Sequence, residues 1–221
     1  MRFILLKLNK KNQKGFSLPE LIIVIGIFII ISTIAMFNQG KLSSSVLLTN
    51  MAYEVGLAIR EAQTYGIGVR SEDAGTNFTG QYGAYFNTST ETTKRQVIVF
   101  ADGSVPGLPA NFVYDPGEEK YIYEFENRRG NRISALCVGD LGGAACQNGV
   151  NSEGSLSVLF KRPNPSALIS PVSVGQPVRS DRVYIVVSSL DDNDCRAVVV
   201  EPTGQIRVED SSKGACAVST P

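Results

Sequence analysis

The sequence predicts an α+β chain, in which one long N-terminal helix turns from hydrophobic to amphipathic and packs on a C-terminal antiparallel β-sheet head. Three observations predict it. Leu21 to Gly40 runs without a single charge. Leu47, Met51, Val55, Ala58, Ala62 and Tyr65 then recur at spacings of three and four, which places them on one helical face. From residue 67 onward the pattern breaks into short Val-, Ile-, Tyr- and Phe-rich runs bounded by Gly, Pro, Asn or Asp, as strands are.

The 221 residues allow one ordinary domain plus an appendage, and 43% hydrophobic content is enough for a packed core. The chain has no His, which excludes Ser-His-Asp and Cys-His nucleophile systems and His-ligated metals. Lys+Arg and Asp+Glu both number 21, but they are unevenly placed. Arg2, Lys7, Lys10, Lys11 and Lys14 fall in residues 1–15 with no acid among them, so the rest of the chain is mildly acidic. Such a remainder weakly disfavours a purely electrostatic grip on nucleic acid.

The first element follows that basic leader. Twenty uncharged residues in a helix reach about 30 Å, the thickness of a bilayer hydrocarbon core. Basic residues before the run and few after it place the leader in the cytoplasm and the bulk of the chain outside, a single pass through the membrane. A cleaved secretory signal would want a shorter apolar region, and Thr33-Ile34-Ala35 is a poor cleavage site. A plain anchor gives no reason for Glu20 at the edge of the run, since an acid in lipid implies a partner.

Lys14-Gly15-Phe16-Ser17-Leu18-Pro19-Glu20-Leu21 resembles the prepilin cleavage and methylation motif of type IV pilins and type II secretion pseudopilins. The resemblance implies that a prepilin peptidase/methyltransferase cuts after Gly15 and methylates Phe16. It also implies that Glu20 pairs with the N-terminal ammonium of a neighbouring subunit. Two opposite charges, each unfavourable alone in lipid, cancel only when a second helix docks in one axial register. Pro19 suits the first turn of a helix, where its missing N–H has no intrahelical partner to lose. Major pilins often carry a helix-bending Pro further along; here that region holds Phe37, which is compatible with a minor subunit.

The helix is predicted over Pro19 to Tyr65, about 70 Å if unbroken, with Gly66 and Gly68 as its stop. Leu48, Ala52 and Ile59 widen its apolar stripe. The divisions expected are a leader at 1–15, a transmembrane or fibre-core segment at 16–40, an amphipathic continuation at 41–66 and a β-rich head at 67–221. Asn50 to Ala62 resembles the helix segment of the H-type (GspH/FimT) minor pseudopilins.

Eight strands are expected in the head: Gly83–Phe86, Gln96–Phe100, Tyr121–Phe125, Arg132–Val138, Leu156–Lys161, Arg182–Ser188, Arg196–Glu201 and Gln205–Val208. Asp102-Gly103, Asp115-Pro116-Gly117, Arg129-Gly130-Asn131 and Pro202-Thr203-Gly204 mark turns. Tyr121, Tyr123 and Phe125 should share one face, and the unbroken apolar run Val183–Val187 should lie mid-sheet. The four cysteines allow three pairings. Cys137–Cys146 and Cys195–Cys216 are favoured, because local turns already bring each pair close. Disulfides imply an oxidising location, consistent with the membrane orientation.

Candidate sites beyond the N-terminus are few. Asp191-Asp192-Asn193-Asp194 is rich in oxygen ligands for calcium but lacks the Gly and the distant Glu of an EF-hand, so a solvated turn is the better reading and no metal site is expected. Asn127 to Arg132 reads as a basic hairpin tip, also solvated. The segment Arg196 to Val208 resembles the terminal hairpin of the H-type pseudopilins. In the DNA-uptake members of that group, a Gly-Arg-x-Arg motif on this hairpin binds DNA through its two arginines. Gly204 and Arg207 match here, but Gln205 stands at the first arginine, leaving Arg207 and Arg196 as the DNA contacts of an alternative reading. No nucleotide loop, paired-carboxylate pattern or nucleophile elbow stands out, so neither enzyme activity nor a cofactor is expected. The resemblance implies a structural subunit, with other pilins or pseudopilins and the membrane as partners and DNA only under the alternative.

Overall fold

In the computed structural model the described residues are 15–68, 80–105, 109–125, 130–138, 154–171, 182–190 and 194–210. They form two compact units, Met1–Ser43 and Ser44–Pro221. Helix α1 is Leu18–Ile67, ending where Gly66 and Gly68 were expected to stop it. Among the described residues nine strands follow, all paired antiparallel: β1 (Gln81–Asn87), β2 (Gln96–Ala101), β3 (Glu119–Glu124), β4 (Arg132–Val138), β5 (Ser155–Lys161), β6 (Asn164–Pro171), β7 (Val183–Ser188), β8 (Cys195–Val200) and β9 (Ile206–Asp210).

In the first unit, Leu18–Met36 is long and apolar enough to cross a membrane, with mean hydropathy 2.5 and none of it buried within the chain. A helix apolar all round can be stable only in lipid or against other protein.

In the second unit one face of α1 from Ser44 onward is buried. Leu48, Met51, Ala52, Val55, Ala58, Ile59 and Ala62 all face its core. The stripe is centred slightly off the predicted one, since Leu48 is fully buried and Leu47 only half. Alternate residues of two sheets close over this face, in the orders β3-β2-β1-β5-β6 and β4-β7-β8-β9. Val183–Ser188 is buried throughout and sits between β4 and β8, as its unbroken apolar run predicted.

Every expected strand is present within a residue or two, and β6 is additional. Pro163, Pro165 and Pro171 obscured it in the sequence. β6 is an edge strand, where a missing N–H costs no ladder bond. Tyr121, Tyr123 and Phe125 lie on the side of β3 toward α1, where the Tyr65 ring is 6.1 Å from that of Tyr121.

Parts of the outer faces of both sheets are also buried. Beneath the loop joining β2 to β3, Phe100, Leu159 and Leu168 form a second apolar cluster, with Phe112 and Tyr114 packed on it. Ala135, Cys137, Tyr184, Val186, Cys195, Ala197 and Val199 form a third.

Candidate functional site

Gly15, Phe16 and Ser17 precede the helix with no regular structure, and the first turn closes where Leu21 N–H donates to the Ser17 carbonyl at 3.2 Å. Leu18 is the first helical residue and Pro19 the second, a position whose N–H has no intrahelical acceptor. Glu20 is therefore the acid of the first turn, at the positive end of the helix dipole. Phe16 and Leu18 are exposed, Glu20 forms no ion pair among the described residues, and the space around Gly15 is open. The Gly15–Phe16 peptide is thus accessible, and four residues after Phe16 stands Glu20, the one charged residue of α1 before Lys41.

The terminal hairpin places the two arginines differently from a free phosphate clamp. Arg207 Nε donates to Glu209 at 2.8 Å and its Nη1 to Glu201, while Arg182 Nε reaches the other Glu201 oxygen at 2.7 Å. Burial alone would raise the Glu201 carboxyl, but Arg207 and Arg182 outweigh it and hold it below the usual carboxylate range. Arg196 donates to the Cys195 carbonyl at 2.7 Å and to Ser45 Oγ at 3.1 Å, so it ties α1 to β8. Both cations are engaged inside the head.

Cys137 and Cys195 are buried, and neither is a free thiol. They do not join each other. Cys137 lies opposite Tyr184, which pairs with Val199, whereas Cys195 pairs with Ser188. Four residues along a strand separate the two levels by about 13 Å, well beyond disulfide reach. Cys146, Cys216, the Asp191–Asn193 part of the acidic loop and residues 127–129 of the basic tip lie outside the described residues. Among the described residues, no group of three or more His, Cys, Asp or Glu is placed to hold a metal.

Three features escaped the sequence. Gln63, nearly fully buried, clasps both sheets: its Nε2 donates to the Gly204 carbonyl in the β8–β9 turn at 2.8 Å and to the Pro165 carbonyl of β6 at 3.3 Å. Gly204 has φ +86, and a Cβ there would land on that same Pro165 oxygen. The β2–β3 loop is fastened by two buried acids. Asp102 accepts from the Asn111 and Phe112 amides at 3.0 and 2.9 Å, and Glu118 from those of Gly103 and Asp115 at 2.7 and 3.2 Å. Phe112 has φ +66, unusual for a bulky residue, and the Asp102 bond holds it there. Burial pushes both carboxyls above their ordinary values. Burial, with Glu119 nearby, also pushes the Tyr114 phenol up to about 12.

The third feature is a groove of about 220 Å³ between α1 and β3. Leu57, Ala58 and Phe125 give it an apolar floor, and Glu54, Glu61 and Glu124 stand around it beside Tyr123. Glu61 accepts from the Tyr65 hydroxyl at 2.6 Å and from that of Tyr123. Burial, then Glu61, hold the Tyr123 phenol above its usual range. No sequence signal marks the groove, because its two walls are 62 residues apart along the chain at the Glu61–Tyr123 bond.

Residues 10–36 match the family described as the prokaryotic N-terminal methylation motif. No curated protein matches the chain. Two crystal forms of the type IV minor pilin FimU of Pseudomonas aeruginosa are similar at TM-scores of 0.42 and 0.39. Their identity is 11% and 13%; each alignment covers 75% of this chain, and 95% and 90% of FimU. That likeness is loose, and no residue assignment rests on it. With the methylation motif at its N-terminus and an apolar helix leading into antiparallel sheets, the chain is a pilin-like protein.

Proposed function

We propose that the chain is a minor pilin or pseudopilin, a structural subunit of a type II secretion pseudopilus or type IV pilus rather than an enzyme. Residues 1–15 are the leader removed by the prepilin peptidase, 16–40 the membrane and then fibre-core segment, 41–66 the amphipathic continuation and 67–221 the head. Before assembly the helix crosses the inner membrane with the head outside the cytoplasm. After cleavage at Gly15 and methylation of Phe16, the new ammonium meets Glu20 of a neighbour and sets the axial register. The observation that carries this reading is one acid in the first turn of a helix whose Leu18–Met36 stretch is apolar and otherwise uncharged, directly behind an accessible Gly-Phe junction.

Cys137–Cys146 and Cys195–Cys216 remain the favoured disulfides, and peptide mapping without reduction tests them. DNA contact through Arg207 and Arg196 is disfavoured, because phosphate would have to displace Glu201 and Glu209 from Arg207. A salt-dependent gel shift tests that alternative. The assembly reading is tested by Glu20→Ala: processing should persist while the subunit disappears from sheared filaments. Undiminished incorporation would overturn it.

A further inference from the structure

We propose that Ser157 on β5 and Ser170 on β6 hold an internal water molecule between them, a solvent site that fastens the edge strand of the first sheet. The two residues stand directly opposite each other in the antiparallel register. Both are 0% exposed. Alternation along the strands puts both side chains on the outer face of the sheet, since Val158 and Ile169 face the main core while Leu159 and Leu168 belong to the second apolar cluster. Among the described residues neither hydroxyl has a hydrogen-bond partner, the facing hydroxyl included.

A buried hydroxyl without a partner is less stable in its place than an apolar group of the same shape. Two that face each other can share one solvent molecule. Each serine offers one donor and two acceptor lone pairs, so a water between them donates to one and accepts from the other. Internal waters occupy such positions, where two to four polar atoms would otherwise be unsatisfied. The spacing suits the bridge. Directly opposed residues have Cβ atoms about 4.5–5.5 Å apart, and a water bonded to two oxygens at about 2.8 Å each spans up to about 5.6 Å. The place in the sheet gives the bridge its role. β6 is an edge strand that carries Pro165 and Pro171, which have no N–H to donate, and its pairing with β5 shifts register between Phe160 and Lys161. Gln63 clasps the start of that strand at the Pro165 carbonyl. The Ser157–Ser170 bridge fastens its other end, one residue before Pro171.

The test is a double-mutant cycle on the full chain in detergent, with Ser157→Ala, Ser170→Ala and the double variant followed by Tm. With a water bridging the pair, each single replacement strands the other hydroxyl, and Tm falls by about 2–6 °C. The double variant then loses no more than the larger single loss, because the same bridge is removed only once. Single replacements that raise Tm or leave it unchanged, or losses that add in the double variant, overturn the proposal. A direct serine–serine bond would give the same coupling, so the solvent itself is read in a crystal structure of the full chain at a resolution that shows ordered water. Density within hydrogen-bond distance of both Oγ atoms is the expected result. Hydroxyls bonded to each other or to other protein groups, or no density between them, overturn the proposal.

Discussion

Replacing Gln63 by Met keeps the side chain's length and removes its amide. Two carbonyls then lose a donor. The Gly204 oxygen is buried, and its 2.8 Å bond is the shorter; leaving such an acceptor unpaired costs about 1–3 kcal/mol. The Pro165 bond is 3.3 Å at an exposed residue, where water replaces the amide at little cost. A loss of about 2 kcal/mol follows, or about 4–8 °C in Tm for a unit of this size. The clasp also holds the start of β6 beside the β8–β9 turn, where the Ala167 amide donates to the Pro202 carbonyl at 3.1 Å. Thermal unfolding of the full chain in detergent, followed by near-ultraviolet circular dichroism, reads the first effect. Faster hydrogen exchange at Ala167 reads the second. A Tm within about 1 °C of wild type would refute the reasoning.

Gly204→Ala should destabilise by more than about 2 kcal/mol, because a left-handed alanine costs about 1–2 kcal/mol and its methyl collides with the Pro165 oxygen; urea unfolding measures it. Tyr123→Phe removes one of the two phenol donors to Glu61 and should lower stability by about 1 kcal/mol, discounted for partial exposure, without altering the strand content seen by far-ultraviolet dichroism. Burial raises Asp102 and Glu118 in the folded state, so their contribution is whole below the ordinary carboxylate range and declines as pH rises through the raised values. Glu118→Gln should therefore flatten the fall in Tm above about pH 4, and an unchanged slope would contradict the assignment. Glu201 acts with the opposite sign: its arginine partners stabilise the head above the ordinary range, and that contribution is lost as pH falls.

What the sequence disclosed and what it hid divide along a physical line. Features set by neighbours in the chain were legible: Pro19 in the first helical turn, the stop near Gly66, the period-two strands and the Asp102-Gly103 turn. Val183–Val187 could be placed mid-sheet because only a strand covered on both faces tolerates an unbroken apolar run. β6 was hidden because its prolines read as loop, and only its position at a sheet edge makes them harmless. Gln63 looked like a polar residue on a helix. Its partners are 102 and 141 residues away, and no local pattern announces contacts at that range. Asp102 read only as part of a turn and Glu118 carried no signal, and their role as buried fasteners depends on a loop folding back over Phe100. Arg207 could be matched to a motif, but whether it is free depends on Glu209, two residues along the same strand, and on Glu201, which the hairpin turn brings to it.

The central claim concerns the first six residues of the mature chain, and the mass of its native N-terminal peptide tests it most directly. In protein recovered from the membrane of its own cell, the account predicts a terminus at Phe16 carrying one added methyl group. A chain that still begins with its basic leader, or that is cut within the Thr33–Ala35 region, would contradict it.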